Sequence, residues 1–290
     1  MIGSQFGNVV IVVWREGVEA LLVVGILNAW LRNNDIAGRG RRYLWAGAVT
    51  GLLIAAGFGT TIALFSSSIP SGSRQIYAAI AALLAAGLIV HMVLWMRGQG
   101  RMLRVELESA LREETVTESW WGMFTLAALA IAREGAETIL FLLGTLAVHP
   151  VEPAIPLLGA VAGLALAVAT YAALQYGSVV ITWRAFFRVT EVAMLLMAAA
   201  LLISGVDALS RVGMLPEAGP LWDSSALLPD TGAVGALVAG LTGYRAHPTV
   251  LQLGVYFSYW LVVLLLLRKA VPREAVSLAT SRAETQRSDA

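Results

Sequence analysis

Residues 8–27 read NVVIVVWREGVEALLVVGIL, and residues 124–144 read FTLAALAIAREGAETILFLLG. Each stretch is as long as the ~20 residues that a helix needs to cross a membrane. Each is apolar except for a charged motif near its centre. A charge at the middle of a membrane helix costs on the order of 3 kcal/mol on insertion scales, so such residues face a protein interior or an aqueous cavity. The two stretches therefore predict membrane helices that carry a functional site near the membrane midplane.

The composition of the whole chain is that of a membrane protein. Of its 290 residues, 58% are hydrophobic and 13% are charged, and the mean hydropathy is +0.75. Soluble domains carry about 25% charged residues, so this chain has too few charges for a soluble surface. The net charge of +1 argues against a nucleic-acid partner, and the absence of cysteine excludes thiolate metal sites. No cleavable signal peptide is expected, because the first residues lack a basic segment.

Seven apolar segments predict an all-α integral membrane protein with seven transmembrane helices in the lipid bilayer. The alternating pattern of barrel strands is absent, which favours helices. The short apolar stretch Gly232–Gly243 is expected to be interfacial or re-entrant. Residues 1–272 form the predicted transmembrane domain, and the polar tail 273–290 is predicted to be disordered. The predicted spans are residues 7–30, 44–66, 76–96, 120–148, 154–176, 185–206 and 248–268.

The distribution of basic residues predicts the orientation. Of the 20 Lys and Arg residues, fifteen fall in the loops and tail on one side, three fall on the other side and two lie inside spans. Cytoplasmic loops carry the excess of Lys and Arg. We therefore predict a multi-pass protein of the cytoplasmic (plasma) membrane, with its N-terminus outside and its C-terminus inside.

The first three spans resemble the next three. Each copy holds an odd number of spans, so the second copy must be inverted relative to the first, as in many secondary transporters with a midplane site between the repeats. Repeat one covers about 7–96 and repeat two about 120–206, and the seventh helix, about 248–268, lies outside both. The glycine pairs are expected to be generic small-residue packing. The matches are Arg15–Glu19 with Arg133–Glu137 (offset 118), Gly47–Gly51 with Gly159–Gly163 (offset 112) and Leu83–Val90 with Met197–Ile203 (offset 113).

The two Arg-Glu-x-x-Glu motifs have the spacing of a metal site. In each motif the arginine and the second glutamate are four residues apart and can pair, and the two glutamates share one helical face. Carboxylates suit a hard, oxygen-seeking cation, and the arginines would limit repulsion in the empty site. Two alternatives are ion pairs that only tie helices together and a proton relay without metal. The candidate ligands are Glu16, Glu19, Glu134 and Glu137, supported by Arg15 and Arg133.

At these residues the sequence resembles the oxidase-dependent iron transporter family, which includes fungal high-affinity iron permeases and bacterial EfeU-type permeases. The resemblance implies iron import, generally of ferric iron supplied by an extracytoplasmic partner that oxidises or binds iron. It assigns the iron site to the six charged residues of the two motifs. Iron is then the transported substrate, and no permanently bound cofactor is expected. Further matching segments are Met92–Arg97, Ala185–Phe187, Leu221–Ser225 and Gly240–Tyr244.

Three further acidic residues are auxiliary candidates. Glu191 lies about one turn inside the sixth span, and it is expected to pair with Arg188 three residues before it. Asp223 and Asp230 lie in the predicted outer loop, where they could collect cations. Acidic loop residues are more often simply solvated, so these two rank below the four motif glutamates.

The sequence is also compatible with other functions. Family members often open the third span with acidic residues, which here are replaced by Gln75 and Ala78. Met92 and Met96 are expected to pack or to face lipid. Alternatives to an iron permease are a transporter of another cation such as manganese or lead, or a membrane proton-relay subunit. An enzyme is not expected, because neither an embedded His-Glu metalloprotease pattern nor a nucleophile with its base is evident.

Overall fold

The computed structural model of the chain describes residues 2–33, 37–99, 120–148, 152–175, 183–216, 219–230 and 232–269. These residues form eight α-helices, which confirms the all-α prediction. The predicted disordered tail, 273–290, lies outside the described residues. The helices are α1 (Ile2–Asn33), α2 (Ala37–Ser67), α3 (Arg74–Gln99), α4 (Trp121–Val148), α5 (Ala154–Gln175), α6 (Trp183–Arg211), α7 (Ala233–Thr242) and α8 (Val250–Lys269).

Each of the seven predicted spans falls on one long helix. Five helices in the described part of the chain, α2, α3, α5, α6 and α8, are long and apolar enough to cross a membrane. Helices α1 and α4 have 32 and 28 residues, but each carries three charged residues in its middle. Helix α7 has ten residues, about 15 Å at 1.5 Å per residue, which is too short to span.

Large apolar side chains cover the outside of the helix bundle. On α2, Leu53 and Leu64 are 66% and 70% exposed, and on α5 and α8, Leu157 and Phe257 are 67% and 68% exposed. Soluble monomers rarely expose apolar patches of more than a few hundred Å². Such a surface is instead suited to contact with lipid chains.

The central helices α1 and α4 run antiparallel. Leu27 near the end of α1 packs with Met123 near the start of α4, whereas Gln5 near the start of α1 shares a cavity with Thr145 near the end of α4. Helices α3 and α6 are also antiparallel, because the end of α3 contacts the start of α6 at Glu191. One end of the bundle is basic, and we refer to it as the arginine-rich end. Its members among the described residues include Arg32, Arg41, Arg42, Arg97, Arg188, Arg268 and Lys269.

Glycines bring α2 against α4 and α5 against α1 through equivalent contacts. A Cβ atom added to any of four glycines would lie 3.3 Å or less from a backbone oxygen of the neighbouring helix. The glycines of the two pairs differ by 112 residues and their partners by 118, which are the offsets of the sequence matches. These are close approaches of two backbones, more specific than the generic packing expected from the sequence. The distances from the added Cβ to the backbone oxygen are 2.3 Å for Gly47 and Phe124, 2.5 Å for Gly51 and Ala128, 3.3 Å for Gly159 and Phe6, and 2.8 Å for Gly163 and Val10.

Candidate functional site

The first motif lies on α1 in the middle of the bundle. The Arg15 Nη1 atom lies 2.6 Å from Glu16 Oε1, and its Nη2 atom lies 2.8 Å from Glu19 Oε1. The side chains of Arg15 and Glu16 are each 2% exposed, and that of Glu19 is 12% exposed. One guanidinium therefore joins two carboxylates on one helix. The i,i+4 pairing predicted from the spacing is present.

The second motif lies on α4 and is more open. Arg133 Nε donates to Glu137 Oε1 at 2.8 Å, and the two side chains are 42% and 21% exposed. Its guanidinium carbon lies 4.1 Å from the centre of the Trp95 ring, a cation–π contact. Glu134 on the same helix is buried. The two motifs share the predicted i,i+4 pair but differ in what surrounds the arginine.

One turn of α3 contacts both arginines. Arg15 donates to the sulfur atoms of Met92 at 3.0 Å and Met96 at 2.8 Å, while Trp95 between them stacks on Arg133. The expected packing is confirmed, since Met92 is buried in the main apolar cluster and Met96 packs against it, but the sequence did not predict that both sulfurs accept from Arg15. A sequence signal existed, because two methionines four residues apart and an intervening tryptophan share this part of the third span. The segment Met92–Arg97, which matched the family pattern, thus adjoins both motifs.

Three of the four motif glutamates form a compact cluster of oxygen atoms. Glu16, Glu134 and Glu137 each offer a carboxylate oxygen, and these atoms lie within 4.8 Å of one another. Opposite ligands of a cation with metal–oxygen bonds of 2.0–2.6 Å are about 4–5 Å apart, so the spacing fits a single ion. Glu19 is not in this group of three, and its carboxylate contacts Arg15 instead.

Buried oxygen atoms of this cluster lack hydrogen-bond partners. Glu16 Oε2, Glu134 Oε2 and Glu137 Oε2 have none among the described residues. A buried polar atom without a partner costs about 1–3 kcal/mol, and more when it is charged. Four carboxylates and two guanidiniums carry a net charge of −2 if all are ionised. Buried carboxylate oxygens without partners, together with a net negative charge, are suited to binding a hard cation.

The auxiliary candidates lie away from this cluster. Glu191 pairs with Arg97 at the end of α3, with Arg97 Nη2 to Glu191 Oε1 at 2.5 Å, which corrects the expected pairing with Arg188. Asp223 is exposed and accepts a hydrogen bond from the Ser225 backbone at 2.8 Å. The hydrogen bonds from Ser225 hold the pKa of Asp223 below its usual range.

Asp230 is the auxiliary candidate with a polar environment of its own. Its Oδ2 atom accepts a hydrogen bond from the Ala246 backbone at 3.4 Å. The side chain also lines a polar cavity at the end of the bundle opposite the arginine-rich end. Both residues belong to the loop between α6 and α7, but Asp230 lines a cavity whereas Asp223 is exposed at the surface.

A bundle of long apolar helices with buried charges at its centre defines a multi-pass membrane protein of the transporter type. The chain belongs to the Iron permease FTR1 family, whose profile matches residues 6–277. It is 30% identical over 277 residues to the ferrous iron permease EfeU of Shigella sonnei (strain Ss046), covering 94% of this chain and 98% of that protein. The EfeU of Escherichia coli O157:H7 gives the same values.

A third relative is more distant. The ferrous iron permease EfeU of Yersinia pestis is 28% identical over 259 residues, which cover 88% of this chain and 91% of that protein. No solved structure matches the chain.

Proposed function

We propose that this protein is a permease that imports iron through a midplane site formed by its two Arg-Glu-x-x-Glu motifs. The observation that carries the proposal is the cluster of Glu16, Glu134 and Glu137, whose oxygens lie within 4.8 Å of one another and come from two different helices. Family membership supports iron as the substrate. Glu19 and the two arginines hold the cluster in place, as Arg15 contacts Glu16 and Glu19 together.

Seven membrane-spanning helices in two inverted repeats are the proposed architecture. The antiparallel course of α1 and α4 supports this inversion, as does that of α3 and α6. The glycine contacts at matching offsets support it further, because a two-fold relation between the repeats predicts equivalent contacts. The arginine-rich end then faces the cytoplasm by the positive-inside rule, in a cytoplasmic (plasma) membrane.

The iron is proposed to be ferric and to come from an extracytoplasmic partner that oxidises or binds it. Trivalent iron is a hard cation, and the cluster offers only oxygen ligands. The relatives are named ferrous iron permeases, so both oxidation states enter the test. Uptake of iron supplied with ascorbate, which keeps it ferrous, is expected to fall below uptake of ferric citrate, and the opposite order would contradict the ferric assignment.

The decisive experiment removes the four carboxylates without changing their shape. A quadruple Glu→Gln variant of Glu16, Glu19, Glu134 and Glu137 should reach the membrane in normal amounts and lose uptake of radioactive iron in a transport-deficient host. Glu191→Gln is the matched control, because Glu191 is also an arginine-paired glutamate of a long helix but lies outside the cluster. The control should retain at least half of the wild-type uptake.

The alternatives give different outcomes in the same assay. A tenfold excess of manganese or lead that abolishes iron uptake, with either metal accumulating in its place, would favour a transporter of another cation. A proton relay would leave iron uptake at background in the wild type. Substantial iron uptake by the quadruple variant would end the proposal.

A further inference from the structure

A second polar site lies at the end of the bundle opposite the arginine-rich end. A cavity of about 270 Å³ opens there between the start of α1, the end of α4, the end of α6 and α7. Its charged side chains are Asp207, Asp230, Arg211 and Arg245, and its neutral polar side chains include Gln5, Asn8 and Thr145. None of the six motif residues lines this cavity, so it is separate from the glutamate cluster.

Two buried amide oxygens in this cavity have no partner. Gln5 and Asn8 are 4% and 5% exposed. Among the described residues, nothing donates a hydrogen bond to Gln5 Oε1 or Asn8 Oδ1. A hydrogen bond fixes the orientation of the Asn8 side-chain amide, because its Nδ2 atom donates to the Gly240 carbonyl oxygen at 3.3 Å. Its oxygen is therefore a buried acceptor that no donor among the described residues uses.

These amides share a helical face with the motif of α1. Asn8 follows Gln5 by three residues, and Glu16 and Glu19 follow Asn8 by eight and eleven. At 100° per residue all four lie within about 80° of one another on the helix circumference, and Asn8 is about 12 Å from Glu16 along the axis. The amides are therefore placed on the line that leads from the outer end of α1 to the cluster.

The charges of the cavity are balanced, because Asp207 and Asp230 are matched by Arg211 and Arg245 in its lining. Asp207 accepts from Arg245 Nε at 3.2 Å and from Gln252 Nε2 at 2.6 Å, so both of its oxygens are engaged. Neutral oxygen ligands hold a hard cation more weakly than several carboxylates do. Such a site would replace part of the hydration shell of an ion without trapping it.

At the equivalent positions of the other end, the described residues are apolar. The offset of 118 between the motifs pairs Gln5 with Met123, Asn8 with Leu126 and Thr145 with Leu27. Met123 and Leu27 are 2% and 0% exposed and pack in one apolar cluster. The polar cavity is thus a feature of one half of the molecule and does not follow from the repeat.

We propose that this cavity is a second cation site, at which the ion exchanges water for the amide oxygens of Gln5 and Asn8 before it reaches the glutamate cluster. The Thr145 hydroxyl donates to the Leu142 carbonyl oxygen at 2.9 Å, which leaves its oxygen able to face the ion. This inference rests on the proposed permease function. It adds an outer site for the same cargo.

A threonine pair gives the first test. Thr145→Val should raise the iron concentration for half-maximal uptake at least threefold and change the maximal rate less than twofold. Thr190→Val is the matched control, because Thr190 is equally buried and also donates to backbone carbonyls of its own helix, but lies outside the cavity. The control should leave both values unchanged. Equal effects of the two substitutions would overturn the outer site.

Asn8 gives a test that separates a ligand from a structural residue. Asn8→Leu should raise the half-maximal iron concentration about tenfold, whereas Asn8→Asp keeps an oxygen in place and should leave it unchanged or lower it. A structural role predicts that both variants are impaired, because neither Asp nor Leu can donate to the Gly240 carbonyl oxygen as Asn8 does. Asn8→Asp protein that is as impaired as Asn8→Leu protein would contradict the proposal.

A binding measurement distinguishes this inference from the proposed function. In the quadruple Glu→Gln background, purified full-length protein carrying Asn8→Asp should bind Mn²⁺, followed by its paramagnetic resonance signal, at least tenfold more tightly than the same background with Asn8 intact. No gain in Mn²⁺ binding would overturn the outer site and leave the permease proposal standing. Iron uptake by the quadruple variant would overturn the permease proposal instead, whatever the Mn²⁺ result.

Discussion

The two arginines of the candidate site differ in their contacts and in their exposure to solvent. Arg15 is held by two carboxylates and two thioether sulfurs and is 2% exposed, whereas Arg133 has one carboxylate and the Trp95 ring and is 42% exposed. A guanidinium presents a rigid planar fork, which an ammonium group cannot reproduce. Arg15 uses this fork to hold Glu16 and Glu19 in one arrangement, and Glu16 is a member of the oxygen cluster.

We therefore expect lysine substitutions to have unequal effects. Arg15→Lys should reduce the initial rate of iron uptake at least tenfold, equivalent to about 1.4 kcal/mol, because one ammonium group cannot hold both carboxylates in place. Arg133→Lys should reduce it about two- to threefold, since one carboxylate contact and part of the cation–π contact survive. Uptake rates normalised to the amount of protein in the membrane measure both. Equal losses in the two variants would contradict this division of roles.

At the residue scale, the sequence predicted contacts within helices better than contacts between them. Both arginine–glutamate pairs at i,i+4 are present, because helix geometry alone brings residues four apart together. The contacts of Arg15 with Met92 and of Arg97 with Glu191 were missed. Each joins different helices, and the rotation of one helix against another is set by packing over the whole bundle, which periodicity does not determine.

Glycine contacts set the separation of the helix pairs. A Cβ atom at Gly51 would lie 2.5 Å from the Ala128 carbonyl oxygen of α4, whereas one at Gly57, further along the same helix, would meet nothing within 4 Å. Small residues allow such close approach of membrane helices, where packing is a main source of stability. The glycine at position 51 of α2 therefore permits a close contact with α4, whereas the glycine at position 57 makes no such contact.

These two glycines make a matched pair for a stability test. Gly51→Val forces α2 away from α4, and we expect a loss of at least 1–3 kcal/mol, the usual range for overpacking, seen as a lower thermal midpoint in detergent and less protein in the membrane. Gly57→Val faces open space and should change little. A similar loss at both positions would show that valine disturbs α2 itself rather than its contact with α4.

The arginine-rich half of the central helix pair is closed by apolar side chains. These residues, which we call the leucine cluster, are Leu27, Leu31, Leu44, Met123 and Ala127, each 2% exposed or less. In contrast, the opposite half contains the polar cavity with Gln5, Asn8 and Thr145. A carrier that works by alternating access exposes its site to one side at a time. We therefore expect that, in the arrangement seen here, access to the glutamate cluster is closed at the leucine cluster and comes from the side of the polar cavity.

Cysteine labelling tests this assignment of an open and a closed half. Thr145→Cys in the cavity should react with a small water-soluble thiol reagent in the absence of iron, whereas Met123→Cys in the leucine cluster should not. Iron should protect the first cysteine and increase the reactivity of the second, if the cluster opens during transport. Ala198→Cys, buried in the main apolar cluster, serves as the unreactive control. Equal reactivity of the first two cysteines without iron would refute the assignment.

For the whole molecule, the sequence predicted the positions of the long helices and the central motifs. Apolar length and the internal matches were sufficient, because each helix in a membrane must satisfy its own backbone hydrogen bonds. The polar cavity was not predicted. Its residues come from the start of α1, the end of α4, the end of α6, α7 and the loops on either side of α7, and the amides of Gln5 and Asn8 have no distinctive spacing in the sequence.

The charges at the two ends of the bundle predict the orientation of the chain. Arg41 is exposed at the start of α2, at the arginine-rich end, and Ser73 is exposed just beyond the other end of the same helix. By the positive-inside rule we expect Arg41 to face the cytoplasm and Ser73 to lie outside. Because the chain contains no cysteine, single cysteines at these positions can be labelled without any background from native thiols.

We expect an impermeant maleimide added to intact cells to label Ser73→Cys and to leave Arg41→Cys unlabelled until the membrane is permeabilised. The reverse pattern would invert the topology and with it the proposed direction of the polar cavity. Labelling of both from outside would mean that α2 does not cross the membrane, although 31 residues are ample to span it. The two positions are separated by one helix, so the comparison tests its crossing and the direction of the whole bundle in one experiment.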